Sequence, residues 1–169
     1  MLDPTNLVTS GDIARQVRAI GIREGDMVLL QCVLRAIGPL EPDKATAIIG
    51  GMRGAVDTSG TILALAHSRI TSRLRADPDT PFNRTTKAIT GGSANALIDR
   101  PEAERRSHPT NSIVAIGADA KMITRYHDEE GSCFGFVRKN VERDDPMMLI
   151  GCTESGPGSP STSPNSNSE

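Results

Sequence analysis

The chain has 169 residues, of which 37% are hydrophobic, with 16 glycines, 11 prolines and no tryptophan. That length suits one domain with a core of its own, so neither a disulfide framework nor a bound cofactor is needed to explain folding. The formal net charge of -2, with acidic and basic residues interspersed, excludes the broad basic field by which proteins hold nucleic acid.

The first helix is expected to be capped by Ser10, with Ile13, Val17 and Ile20 recurring at helical spacing and Gly21 as a left-handed stop. Residues 27–34, "MVLLQCVL", form a nearly continuous apolar run, the pattern of a strand buried on both faces. Asp43 opens a second helix carrying Ile48, Ile49, Met52 and Val56 on one stripe, although Gly50 and Gly51 weaken its continuity. "TSGTILALA" then reads as a turn and a second buried strand. Residues 67–90 are polar and show no period, which predicts a long loop of the kind that often carries function. Within it Arg69, Arg73 and Arg75 are followed by Asp77 and Asp79, the composition of a solvated loop or, alternatively, of a phosphate contact. Ala94, Leu97 and Ile98 mark a short helix, residues 112–116 a third strand, residues 118–124 a further helix and "MMLIG" a fourth strand. Strands alternating with helices at these spacings predict an α/β fold, a layered α/β/α domain with a largely parallel or mixed central sheet. From Gly156 the text turns to Ser, Pro, Gly and Asn, which predicts a disordered tail over residues 156–169.

Three cysteines, Cys32, Cys133 and Cys152, stand at wide spacing with no CxxC pair. This argues against both a disulfide framework and a zinc site, and fits a reducing compartment. The N-terminal "MLDPTNLVTS" lacks a signal-peptide pattern, and no apolar run approaches the ~18 residues of a membrane span. The expectation is a cytoplasmic protein that uses neither metal, membrane nor nucleic acid. His67, His108 and His127 show no metal-ligand spacing. Cys32 lies in an apolar strand without a flanking cation, so core packing is its better reading. In "RRSHPTNSIVAIG", Pro109 restricts His108 to extended backbone while Thr110, Asn111 and Ser112 can bond locally to the main chain. A rigidly held imidazole suits a catalytic base, and it equally suits an ordinary turn residue at the mouth of a strand. The paired glycines of "GGSANAL" could set backbone amides against an anion or simply make a turn.

Taken in order, "GIREGDMVLLQCVLRAIG", "GTILALA", "GGSANALIDRPEAERRSHPTNSIVAIGADA" and "MMLIGCTESGPG" resemble the aminoglycoside 3-N-acetyltransferases, an antibiotic acetyltransferase family that uses acetyl-CoA. The H-P-T-x-S segment is the most specific of these, and the similarity runs from Ser10 to Gly158. The resemblance implies an acetyltransferase domain over residues 1–155, with His108 as general base toward the amine of a cationic aminoglycoside. A base is needed because an alkyl amine with a pKa of ~10.4 is almost wholly protonated at neutral pH and has no lone pair to attack with. It further implies that coenzyme A runs along Gln31, Cys32, Val33, Leu34, Arg35 and Gly38 and past Ser112. Glu102, Glu104 and Asp128 are the carboxylates that could orient the histidine.

The chain departs from the family at several points. The family reads H-S-S-L where this chain has Gln31, Cys32, Val33 and Leu34, and a proline where it has Leu65. Its F-D-P segment appears as Phe82, Asn83 and Arg84, so an attractive carboxylate becomes the amide of Asn83, and Arg84 is expected to repel a polycation. The family continues through a further α/β segment where this chain turns to serine and proline, so a shortened or frameshifted chain is expected. These departures keep two further readings open, an N-acetyltransferase for another small amine and an inactive chain that at most binds coenzyme A.

Overall fold

The structure is a computed structural model describing residues 7–40, 43–68, 82–106, 108, 111–125 and 135–152. In chain order its elements are α1 (Ser10–Ala19), β1 (Met27–Cys32), a 3-10 turn (Leu34–Ala36), α2 (Lys44–Val56), β2 (Thr61–Leu65), α3 (Gly92–Ile98), β3 (Glu104–Arg105), β4 (Ile113–Gly117), α4 (Ala120–Arg125), α5 (Gly135–Glu142) and β5 (Met147–Ile150). The expected tail, His127, Asp128, Cys133 and the Arg69–Arg75 cluster lie outside the described residues.

The five strands form one sheet in the order β3-β4-β2-β1-β5. β1 runs parallel to β2 and to β5, whereas β4 is antiparallel to both β2 and β3. The sheet is therefore mixed. Alternation along β1 explains the continuous apolar run read in the sequence. Val28, Leu30 and Cys32 enter one core with residues of α1, α2 and α3, while Met27 and Leu29 enter a second with Ala120, Ile123 and Phe136 of α4 and α5. A strand between two helical layers has no wet face, so it needs apolar side chains at successive positions. Each fully buried Leu or Ile contributes about 1.5–3 kcal/mol.

Local signals set the helix ends. Thr9, and not Ser10, caps α1: its hydroxyl accepts from the Asp12 N–H while the Asp12 carboxylate accepts from the Thr9 N–H, a complete capping box. Asp43 caps α2 as expected, accepting from the Thr46 N–H at 2.9 Å. The glycines of α2 do not interrupt it. A Cβ on Gly51 would stand 2.5 Å from the Ile13 side chain, so the missing side chain is what lets α1 close onto α2.

Candidate active site

An open cleft of about 470 Å³ lies at the carboxyl ends of the parallel strands β1 and β2, lined by Gln31, Cys32, Val33, Leu34, Arg35, His67, Ile89, Thr90, Gly91 and Gly92. In open α/β sheets this is where ligands bind, because the strands end there and the loops that leave them diverge. Its volume falls within the usual range of ligand pockets, roughly 300–1,000 Å³.

The walls follow from a few local bonds. Gln31 and Cys32 end β1, and the chain then tightens into the turn Leu34–Ala36. Lys44 at the start of α2 holds that turn, donating through Nζ to the Leu34 and Ile37 carbonyls at 3.0 and 2.5 Å. On the opposite wall, Asn95 of α3 accepts from the Ala88 N–H and donates to the Ala88 and Gly91 carbonyls at 2.8, 2.9 and 3.1 Å. The Thr90 hydroxyl donates to Leu65 O at 2.5 Å. A Cβ on Gly92 would stand 2.6 Å from Leu34 Cδ1, so the bare glycine leaves room for the end of the Leu34 side chain against the opposite wall.

Of the residues expected to hold coenzyme A, Gln31, Cys32, Val33, Leu34 and Arg35 line this cleft, and Gly38 lies beyond it on the surface. Ser112 is elsewhere. It is fully buried, its hydroxyl donating to Ala66 O at 2.6 Å and accepting from Arg105 Nε and Nη2 at 3.0 and 2.9 Å. That hydroxyl serves the interior and presents no surface to a ligand.

Arg105 is the hub of this region. Its guanidinium also donates to the carbonyls of Ala66, Arg84 and Thr86 and stacks over the Phe82 ring at 4.8 Å. Among the described residues it has no carboxylate partner, and burial pulls its pKa down to about 10. Arg84 is likewise engaged, donating to the Pro101 and Ala103 carbonyls, so this arginine pins the loop to the segment before β3.

His108 is half-buried, and its Nδ1 accepts the Asn111 N–H at 2.9 Å. This is the nitrogen a carboxylate would have to engage to leave Nε2 as a base. Glu102 instead lies exposed with Arg100 at 3.7 Å, and Glu104 faces Ala115 in the β3–β4 ladder. His67, which shows no metal-ligand spacing with the other histidines, lines the cleft. Its pKa is lowered, first by burial and then by the charge of His108. The signal for His67 was available, since it follows a buried parallel strand at its carboxyl end. Cys32, by contrast, is a core residue as its apolar run suggested: burial, with a smaller contribution from Cys152, pushes its thiol up to about 11. Among the described residues no group of three His, Cys, Asp or Glu side chains is placed to hold a metal ion, and no helix is long and apolar enough to cross a membrane.

Comparisons with known proteins agree with this geometry. Residues 29–155 match the family described as aminoglycoside 3-N-acetyltransferase. Aminoglycoside N(3)-acetyltransferase III of Serratia marcescens is 28% identical over 133 residues, covering 70% of this chain and 49% of that protein. The enzyme of the same name from a Salmonella species is 28% identical over 156 residues, covering 82% and 54% respectively. The chain thus spans about half the length of the curated relatives it matches. Among solved structures, AAC-IIIb in its binary complex with CoASH superposes with a TM-score of 0.73 at 26% identity, over 85% of this chain and 59% of that one. AAC-VIa bound to sisomicin superposes with a TM-score of 0.77 at 24% identity, over 87% and 60%. With the match running through β1, the cleft, the His108 turn and β5, the chain belongs to the aminoglycoside 3-N-acetyltransferase family.

Proposed function

We propose that this chain carries the donor half of an acetyl-CoA-dependent N-acetyltransferase site, whose acceptor is an amino group of an aminoglycoside. The observation that carries the reading is the cleft itself. It opens at the carboxyl ends of β1 and β2, is walled by residues 31–35, and has the His67 imidazole in its lining. Val33, Leu34 and Ile89 give apolar wall for a pantetheine arm, and Arg35 puts a cation at the mouth for phosphate. The co-substrate supplies an activated acyl group, and direct transfer to an amine requires no covalent intermediate on the enzyme. The chain's own residues orient the thioester, exclude water from the strand ends and exchange the amine proton, with His108 in the role its motif implies.

One observation favours a second acceptor class. The described cleft residues include Arg35 and His67 and no carboxylate, a lining better suited to a small amine of low positive charge than to a polycation. Incubation of the protein with acetyl-CoA and either sisomicin or simple alkyl amines, followed by mass analysis of the products, separates the two. The leading reading expects sisomicin heavier by one acetyl group. Acetylated alkyl amine with unmodified sisomicin would replace it by the second.

A further inference from the structure

We propose that Arg105 is a positioning residue for His108: with the Ser112 hydroxyl it holds together the two ends of segment 106–111 and ties them to the Ala66 carbonyl, one residue before the cleft-lining His67. The inference deepens the acetyl-transfer reading above and rests on it for the role of His108.

The argument begins with how little backbone leads into that segment. β3 is two residues long, and its ladder pairs Glu104 with Ala115 and Arg105 with Val114. The Ala66 N–H donates to Ser112 O at 2.8 Å, so the β2–β4 ladder continues one step past Ile113 and Ser112 keeps the strand alternation. Residues two apart on a strand share a face, which sets Ser112 on the face of Val114 and diagonally across from Arg105. Only a long side chain covers such a diagonal. The Arg105 guanidinium does so, donating to Ser112 Oγ from Nε at 3.0 Å and from Nη2 at 2.9 Å.

Two further links fix where the closed segment sits. Ser112 Oγ donates to Ala66 O at 2.6 Å, and Arg105 Nη2 donates to the same carbonyl at 2.8 Å. The next residue, His67, lines the cleft. Arg105 Nη1 donates to the Arg84 and Thr86 carbonyls, on the segment that leads to the Ile89–Gly92 wall. One guanidinium thus refers the His108 segment, the end of β2 and the approach to the wall to a common point. A general base acts only when its nitrogen is held within reach of the proton it takes, and a displacement of about 1 Å costs about 10²-fold in rate.

The pattern of acceptors calls for arginine. All three guanidinium nitrogens are used, and every acceptor is a neutral carbonyl or hydroxyl. Lysine has one nitrogen on a flexible stem and cannot face Ser112, Ala66 and Thr86 together. With the Ser112 proton committed to Ala66 O, its lone pairs receive the guanidinium, so alanine there keeps the space and removes the acceptor.

The test has two arms on the full chain, with Arg105→Lys, Ser112→Ala and the double variant. Ser112→Ala leaves the Arg105 bonds to the carbonyls in place, so a folding defect in Arg105→Lys does not decide the matter. The first arm follows backbone amide hydrogen exchange by NMR and needs no activity. The Asn111 N–H, which donates to His108 Nδ1 at 2.9 Å, should exchange at least about tenfold faster in each single variant, while the amides of β1 and β2 keep their protection. Unchanged exchange at Asn111, or an equal loss across the sheet in Ser112→Ala, overturns the inference whatever the activity. The second arm measures acetyl transfer from acetyl-CoA to sisomicin and to alkyl amines. Arg105→Lys should lower kcat by about 10²-fold and Ser112→Ala should lower it in the same direction, with KM for acetyl-CoA little changed in both. The double variant should be no slower than the slower single one, because both substitutions open one clamp. A raised KM for acetyl-CoA with unchanged kcat, or losses that multiply in the double variant, overturns the inference alone. A wild type that acetylates none of these amines overturns the acetyl-transfer reading, and amide exchange then decides the clamp by itself.

Discussion

Cys32 shows how a single position in this fold divides between packing and chemistry. It ends β1, touches the cleft and sits where the family resemblance implies a hydroxyl, yet it is almost wholly buried and its thiol is pushed up to about 11. Since the thiolate is the nucleophile, a rise from 9.0 to about 11 reduces the reactive fraction near pH 8 by roughly 10²-fold. Iodoacetamide at that pH, read by peptide mass mapping, should therefore modify Cys32 about two orders of magnitude more slowly than it modifies the unfolded chain. Equal rates would contradict its burial. His108 and His67 show the limit of reading residues singly. The H-P-T-x-S context pointed to His108, but nothing in local spacing reveals that its Nδ1 takes the Asn111 N–H or that His67 lines the cleft.

At the scale of elements, periodicity carried the reading wherever burial was two-sided or a helix had a clear stripe. β1, β2, β4, β5, α1, α2 and α3 all stand where apolar patterning put them, to within a residue or two at their ends. Two elements escaped. β3 is only Glu104–Arg105, with no apolar residue to betray it, and exists because it pairs with β4 and sends Arg105 beneath the loop. α5 spends a core position on Asn140, which blurs its stripe to Phe136 and the half-buried Val137. The antiparallel direction of β4 was also hidden, because a strand covered on both faces looks the same either way round. Gly50 and Gly51 were weighed as helix breakers, whereas their function is contact between helices. Gly51→Ala gains about 1 kcal/mol of helix propensity but sets a methyl group 2.5 Å from Ile13, and overpacking of this kind costs about 1–3 kcal/mol. We expect a lower Tm by thermal denaturation, with an unchanged or raised Tm contradicting the close approach of α1 and α2.

For the whole molecule, the layered α/β/α arrangement places the strand end of β1, the 89–92 wall and His67 around one opening, and the family match passes through all of them and through His108. The sheet has β3 and β5 at its edges, and the chain spans about half of its curated relatives. The central claim is that this opening delivers an acetyl group to an amine with an imidazole in attendance. Its most direct measurement is the rate of free-thiol release from acetyl-CoA, followed with and without added amine, in the wild type and in His108→Ala. The account predicts release that depends on the amine, matches the amide formed one for one, and falls by at least about 10²-fold in the variant. Release indifferent to the amine, or equal in the variant, would contradict it.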